Sequence, residues 1–132
     1  MPWETVATRT MSVVGHLRRR VVVEIGRPFQ ANPEWRCPYR IRGAGLRRAR
    51  YACGEDAVQA LLLSFVAVRA ELLSTGVPLA WLSEQPGDVG IPSLAPTHAG
   101  FTFQRRVERL MDRAVAVEAR RQIRAGKARK QK

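Results

Sequence analysis

Arginines alternate with apolar residues in one short stretch of the chain, EWRCPYRIRG. Successive side chains of a β-strand point to opposite faces, so this stretch predicts one apolar face and one basic face. The apolar face holds Trp35, Cys37, Tyr39 and Ile41, and the basic face holds Arg36, Arg40 and Arg42 together with Pro38. A row of guanidinium groups is suited to an anionic partner. A half-buried strand with a solvated side gives the same pattern, so both interpretations stay open.

A second arginine-rich segment, RRARYAC, follows after the sequence GAGL and predicts the neighbouring strand. If Gly43 lies opposite Arg47, a three-residue loop joins the two strands. In that register arginines of the two strands face each other, with Arg40 opposite Arg50 and Arg42 opposite Arg48. Because like charges directly opposite each other cost stability, these side chains either spread into water or hold an anion between them.

The same register places the two cysteines, Cys37 and Cys53, opposite each other. Directly opposed residues have Cα atoms roughly 4.5 to 5.5 Å apart, which is within reach of a disulfide. Disulfides are rare in the cytosol, so we expect two small buried thiols, with a bond between them as the alternative. A shift of the register by one residue would separate the two cysteines.

Residues that could carry catalysis or bind a metal are few and widely spaced. The two histidines, His16 and His98, fall in a predicted turn and in a Pro-rich loop, and no Cys-x-x-Cys spacing is present. Glu55 and Asp56 are adjacent, and the start of a helix explains both, because carboxylates suit the positive end of the helix dipole. The sequence therefore favours a protein that is not an enzyme, with no cofactor and no metal site.

The net charge is strongly positive: 23 Lys and Arg residues against 11 Asp and Glu residues give a formal charge of +12. Such a charge attracts nucleic acid, acidic protein surfaces or anionic lipid headgroups. More than half of the excess lies in residues 119–132, which contain no acidic residue. The candidate contacts for nucleic acid in this segment are Arg120, Arg121, Arg124, Lys127, Arg129 and Lys130.

The hydrophobic pattern predicts an α+β fold with a four-stranded antiparallel sheet. Residues 5–14 and 19–26 are rich in Val, Thr and Ile and predict a hairpin, and the two arginine-rich segments supply the third and fourth strands. One buried helix crosses a face of the sheet, PLAWL is a candidate short edge strand, and an amphipathic helix from about Thr102 packs alongside. We expect one domain over residues 1–118 and a basic, disordered tail over residues 119–132.

The first helix is expected to begin after Cys53, with Gly54 as the candidate N-cap, and to run to about Thr75. Its apolar residues occur on most sides, so we expect the helix to be largely buried. The predicted packing brings two groups of side chains together. The helix contributes Leu61, Leu62, Phe65 and Leu72, and the strands contribute Trp35, Tyr39, Ile41 and Tyr51. The aromatic rings of the third and fourth strands, Trp35, Tyr39 and Tyr51, then point toward the core, so the basic face has few rings on which bases could stack.

Several segments together resemble a family of small uncharacterised bacterial proteins, classed as a domain of unknown function. The segments are RRVVVEIGRPF, WRCPYRIRG, DAVQALLLSFVAVRAEL and PGDVGIP. The resemblance covers about residues 19–112 and leaves out the basic tail. It implies no reaction, cofactor or functional residue.

These observations predict a non-catalytic binding module of the bacterial cytoplasm, with another protein as its partner. The N-terminal residues lack the apolar region of a secretory signal, and the longest apolar run is too short and too closely flanked by charges to span a bilayer. The alternative is a nucleic-acid-binding protein that uses the arginines of the sheet and the basic tail. The oligomeric state does not follow from the sequence.

Overall fold

The computed structural model describes residues 3–94 and 99–131. The chain divides into two compact units, Met1–Ser93 and Leu94–Lys132. The strands are β1 (Thr5–Val13), β2 (His16–Gly26), β3 (Phe29–Gln30), β4 (Trp35–Gly43), β5 (Leu46–Gly54) and β6 (Leu79–Ala80). The helices are α1 (Ala57–Ser74) in the first unit and α2 (Phe101–Lys130) in the second.

The first unit is an antiparallel sheet with α1 packed across one face, which confirms the predicted α+β class. Strands β5, β4, β2, β1 and β6 lie side by side in this order, and the short β3 pairs with the beginning of β4. The four predicted strands are all present. Leu79 and Ala80 form the short edge strand, paired with the end of β1, and β3 is a strand that the sequence did not predict.

The turn between β4 and β5 contains two residues, Ala44 and Gly45, and both have positive φ, 51° and 80°. Positive φ at both central positions is the requirement of the tight hairpin turn whose twist matches that of the strands. The predicted three-residue loop is therefore wrong, and the pairing of the two strands is shifted by one residue. Gly43 lies opposite Leu46 instead of Arg47.

Helix α1 begins after Asp56, whose carboxylate accepts a hydrogen bond of 2.8 Å from the backbone NH of Gln59. The side chain of Gln59 in turn accepts one from the backbone NH of Glu55. These two bonds satisfy amide groups that have no partner within the helix. The N-cap is thus Asp56 and not Gly54. The helix ends close to the predicted position, just before Gly76, which has a φ of 76°.

The core lies between α1 and the sheet. Helix α1 buries one row of residues at intervals of four, Ala60, Ser64, Val68 and Leu72. They pack on the buried side chains of the strands, which include Met11, Val21, Val23, Ile25, Cys37, Tyr39 and Ile41. The prediction of a largely buried helix is therefore wrong: Leu61 and Phe65 are half-buried at the edge of the core, and Leu62 is 45% exposed.

The loop after β6 is held to the domain by two arginines that the sequence analysis did not single out. The guanidinium of Arg9 stacks on the ring of Trp81 at 3.7 Å from its centroid and donates hydrogen bonds to the carbonyls of Val89 and Gly90. Arg69 of α1 donates to the carbonyl of Ile91 at 3.0 Å. These two side chains thus serve the fold rather than an external anion.

The second unit consists mainly of α2, which is 30 residues long and has no buried residue. The helix continues to Lys130, through the segment after Val117 in which the thinning apolar stripe predicted disorder. Apolar residues remain exposed along the whole helix, including Phe103, Leu110, Val117 and Ile123.

Candidate functional site

The outer face of the sheet, the face turned away from α1, carries the arginine-rich side of β4. Cys37, Tyr39 and Ile41 are buried in the core, so the alternate side chains of β4 lie on the outer face, as predicted. The arginines of this face are Arg36, Arg40 and Arg42 of β4, together with Arg47, which lies opposite Arg42. We call these four residues the arginine face.

Two predicted members, Arg48 and Arg50, do not belong to the arginine face. Because the register is shifted by one residue, Arg48 lies opposite Ile41 and Arg50 opposite Tyr39, both of which are core residues. Directly opposed residues share a face of the sheet, so both arginines project from the edge strand on the α1 side. The salt bridge of 3.3 Å between Arg50 and Glu71 of α1 agrees with this placement.

The same shift moves an aromatic ring to the arginine face. Tyr51 lies opposite Pro38 and is 51% exposed, so the prediction that its ring points toward the core is wrong. The guanidinium of Arg36 lies over this ring at 4.4 Å from the centroid. On the same face, Arg40 lies over the ring of Trp3 at 3.8 Å. Each stack is a cation–π contact that holds a long side chain in one position.

Two glutamates compensate part of the positive charge of the arginine face. Glu24 of β2 forms a salt bridge with Arg42, and the hydrogen bond from this guanidinium lowers the pKa of Glu24 below its ordinary value. Glu34 accepts a hydrogen bond of 2.8 Å from Arg36, which likewise lowers the pKa of Glu34. Three arginines of the arginine face, Arg36, Arg40 and Arg42, are therefore held by rings or carboxylates.

The predicted basic contacts of the C-terminal segment lie on α2. All six are exposed: Arg120, Arg121, Arg124, Lys127, Arg129 and Lys130. Successive residues of a helix are rotated by about 100°, so these side chains point in all directions and do not form a single stripe. Arg121 is also engaged locally, since it donates two hydrogen bonds of 3.1 Å to the carboxylate of Glu118.

A polar cluster connects α1 to the sheet beside the core. The hydroxyl of Tyr39 donates a hydrogen bond of 3.0 Å to Oε1 of Glu71, the same oxygen that pairs with Arg50. Burial, and then the hydrogen bond to Glu71, raise the pKa of Tyr39 to about 12. The other oxygen of Glu71, Oε2, is buried and has no hydrogen-bond partner among the described residues. This geometry fixes α1 on the sheet.

The two cysteines are not close to each other in the register of the sheet. Cys37 is buried opposite Ala52, whereas Cys53 is exposed opposite Arg36 on the outer face. Both are free thiols, so the alternative of a disulfide is wrong, and so is the expectation that both are buried. Burial raises the pKa of Cys37, and desolvation together with nearby Glu34 raises that of Cys53, so neither is an activated thiolate.

The described residues contain no group of three His, Cys, Asp or Glu side chains that could hold a metal ion. His16 is exposed at the start of β2. The other predicted loop histidine, His98, lies outside the described residues.

Large aliphatic side chains cover the solvent side of α1. They are Val58, Leu62, Leu63, Val66 and Leu73, between 39% and 65% exposed, and we call them the α1 face. The two charged residues of this helix, Arg69 and Glu71, are both bound to other parts of the same unit. Apart from Arg69, which lies between Val66 and Leu73 in helical spacing and is bound to Ile91, the α1 face carries no charged residue. By length and composition α1 could also cross a membrane, a property that core helices share.

One signal in the sequence indicates the role of Arg9, and none indicates that of Trp3. Arg9 occupies a core-facing position of β1, between Ala7 and Met11, and a lone arginine in an apolar register indicates an internal partner. Trp3 precedes the first strand and belongs to no periodic pattern, so its stack with Arg40 could be found only from the structure.

The first unit is thus a small α+β domain with a basic sheet face and an exposed apolar helix face. Residues 7–93 match the model of the family described as Domain of unknown function (DUF6968). This match covers well over half of the chain, so the chain belongs to that family. The expected membership of an uncharacterised family is thus confirmed. No curated protein and no solved structure matches the chain.

Proposed function

We propose that the domain of residues 3–93 is a non-catalytic protein-binding module, and that the α1 face is its contact surface. One observation carries the proposal: five large aliphatic side chains are exposed on one helix, and both charged residues of that helix are engaged elsewhere in the domain. Soluble proteins rarely leave a contiguous apolar surface uncovered unless it binds a partner.

The spacing of the exposed residues supports a helical partner. Val58, Leu62 and Val66 recur every four residues and form a ridge, which fits the groove between the side-chain rows of another helix. From Val58 to Leu73 the surface is about 22 Å long, enough for roughly four turns of a partner helix. The partner we propose is therefore an amphipathic helix that places its own aliphatic row on α1, in the manner of other helix-in-groove complexes.

The free cysteines support the cellular setting of this module. Both cysteines are thiols, and such free thiols suit the reducing cytoplasm that we propose for this protein in a bacterial cell. The cation on this side of α1, Arg69, is bound to the carbonyl of Ile91, so an anionic ligand would not explain the aliphatic residues of the α1 face.

The test compares two identical changes at exposed leucines. Leu62→Glu places a charge on the α1 face, and Leu82→Glu places the same charge at a residue that is 85% exposed in the loop after β6. Proteins captured by the parent chain are identified, purified and titrated against both variants. We expect the Leu62→Glu variant to bind at least about tenfold more weakly, because a buried apolar contact is replaced by a desolvated charge. Equal binding by both folded variants would contradict the proposal.

A second candidate function, nucleic-acid binding through the arginine face, is favoured by the exposed ring of Tyr51 and by the ordered arginines. Aromatic rings beside guanidinium groups are typical of surfaces that bind single-stranded nucleic acid. Arg40→Ser and Arg48→Ser form a matched pair, since the two residues lie on opposite faces of neighbouring strands. If the arginine face binds RNA or DNA, Arg40→Ser weakens binding and lowers its salt dependence, whereas Arg48→Ser does so much less.

A further inference from the structure

The apolar residues of α2 follow a heptad pattern. Phe103, Val107, Leu110, Ala114 and Val117 are separated by four, three, four and three residues, which is the alternation of the a and d positions of a coiled coil. We call these five residues the α2 seam. None of them is buried: Phe103 is 41% exposed, Leu110 56% and Val117 63%. The seam is thus an ordered apolar stripe without a covering partner among the described residues of its own unit.

We propose that the α2 seam pairs with the α2 seam of a second copy of this chain, in a parallel two-stranded coiled coil. The identity of the seam residues fits this assembly, because Val107 occupies an a position and Leu110 the following d position. A β-branched residue at a combined with leucine at d favours two parallel strands.

The charges beside the seam favour the parallel orientation. The g positions are Arg106, Arg113 and Arg120, and one e position is Glu118. In a parallel pair, each Arg113 faces Glu118 of the second copy, so two opposite-charge pairs form. In an antiparallel pair, the g positions face each other, and the rows of arginine repel. Charge complementarity therefore selects a second copy in one orientation.

The pattern also determines where the coiled coil ends. The next a and d positions after Val117 are Arg121 and Arg124, which do not fit an apolar seam. The paired region therefore spans about residues 103–117, and the two basic segments leave it side by side. Because these segments repel each other, added salt is expected to strengthen the dimer, which is the opposite of its effect on nucleic-acid binding.

The polar side of α2 argues against an anionic membrane as the partner of the seam. Glu108 and Asp112 alternate with the arginines along the first half of the helix, and Glu108 pairs with Arg105 at 3.1 Å. A helix that lies on anionic lipid usually has a polar face rich in cations. A lipid surface also places no requirement on heptad spacing or on the charge of single e and g positions.

The first experiment measures the mass of the full chain by sedimentation equilibrium over a range of concentrations. Leu110→Glu removes a seam residue, and Val115→Glu makes the same type of change at a residue that is 68% exposed and lies off the seam. We expect the parent and Val115→Glu to form dimers, and Leu110→Glu to dimerise at least about 100-fold more weakly. A monomeric parent at about 100 μM, or equal dimerisation of both variants, overturns the proposal.

The second experiment tests the orientation. Val117→Cys is made in a Cys53→Ser background, so that the exposed native thiol is absent. In a parallel dimer the two new thiols lie next to each other and cross-link under mild oxidation, whereas in an antiparallel dimer they lie at opposite ends of the seam. The charge reversals Arg113→Glu and Glu118→Arg should each weaken the dimer several-fold, and the double variant should restore it. Absence of cross-linking, or absence of rescue, overturns the parallel arrangement.

The dimer and the proposed function rest on different surfaces, so their failures are distinguishable. Leu62→Glu changes the α1 face and should leave the sedimentation mass unchanged. Leu110→Glu changes the α2 seam, and circular dichroism of this variant shows whether α1 and the sheet remain folded. Loss of dimerisation in the Leu62→Glu variant would show that the second copy binds the α1 face, and it would overturn the proposal that the α2 seam is the dimer interface.

Discussion

The two sides of α1 differ in the size of their residues, and the difference is the opposite of what is usually expected for a helix that packs on a sheet. The side that packs on the sheet carries mostly small residues, Ala60, Ser64 and Val68, with only one leucine, Leu72. The solvent side carries larger residues, and the exposed fraction of Leu62 is 45%. Small residues allow the helix to approach the sheet closely, where Cys37, Tyr39 and Ile41 fill the space. Size alone therefore does not identify the buried side of an apolar helix.

The sheet shows a similar contrast between its two faces. The face beneath α1 is closely packed, and the hydroxyl of its Tyr39 bonds to Glu71 of α1. The outer face holds its arginines through rings and carboxylates that remain in contact with water, as Arg42 does with Glu24. Interactions of the second kind contribute little to folding, because water screens them. The difference predicts which substitutions unfold the domain and which leave it folded with altered binding.

The largest effect is expected for Leu72→Ala. Leu72 is 1% exposed in the row that α1 places on the sheet, and its truncation leaves a cavity. The free energy of unfolding should fall by about 2 to 5 kcal/mol, the usual range for a buried leucine. Urea unfolding followed by circular dichroism measures the change. A loss below about 1 kcal/mol would mean that α1 can collapse into the gap and is less tightly packed than its burial indicates.

An intermediate effect is expected for Tyr39→Phe, which removes the hydroxyl that binds Glu71. Glu71 then keeps only its exposed partner, Arg50, so we expect a loss of about 1 to 2 kcal/mol at neutral pH. Tyr51→Phe is the matched control, since the ring of Tyr51 is 51% exposed. Its free energy of unfolding should stay close to that of the parent.

The pH dependence of this pair sharpens the comparison. The pKa of Tyr39 is raised to about 12 from an ordinary value of 10.0, so the folded state holds its proton more tightly than the unfolded state does. This contribution is fully present below pH 10 and is lost as the pH rises toward 12. The parent should therefore lose stability faster than Tyr39→Phe in this window. If the free energies of unfolding of the two proteins change in parallel with pH, the hydroxyl of Tyr39 is not buried and bound to Glu71 as described.

A small effect is expected for Arg42→Ser on the outer face. The pKa of Glu24 is lowered by Arg42, so the contribution of this pair is present above the ordinary pKa of Glu24 and is lost as the pH falls through the lowered value. At neutral pH we expect a loss of about 0.5 kcal/mol, because Arg42 is largely exposed. Arg47→Ser, which changes the residue opposite Arg42, serves as the control. A loss above about 2 kcal/mol would place the pair among buried interactions.

The alternation in β4 predicted the buried residues Cys37, Tyr39 and Ile41 correctly, because a strand at the centre of a sheet has one covered face. The register of β5 could not be predicted. It depends on Ala44 adopting a φ of 51°, which residues other than glycine rarely do. The arginines on both sides of β5 also give no apolar face that would fix the register. One shifted residue was enough to exchange the positions of Tyr51 and Arg50.

Similar limits apply to the two helices. In α1 apolar residues lie on most sides, so the periodicity predicted the helix but not the side that faces the sheet. The buried row became visible only through contacts with residues far away in the chain. In α2 the basic residues after Val117 weaken the apolar stripe, and this pattern predicted disorder there. The helix continues because alanine, arginine, glutamine and lysine are all strong helix formers, whatever the pattern of their side chains.

The smallest change in stability is expected for Leu62→Gln, which tests whether the α1 face is open. If no other part of the molecule covers this face, glutamine is solvated as well as leucine was, and the free energy of unfolding changes by less than about 0.5 kcal/mol. The prediction is informative because Leu72, on the opposite side of the same helix, should respond several times more strongly. A loss above about 1 kcal/mol from Leu62→Gln would mean that the face is already covered in the free protein. The loss of stability is then measured at two protein concentrations to identify what covers the face. If a second copy covers it, the loss depends on concentration, and if a segment of the same chain covers it, the loss does not.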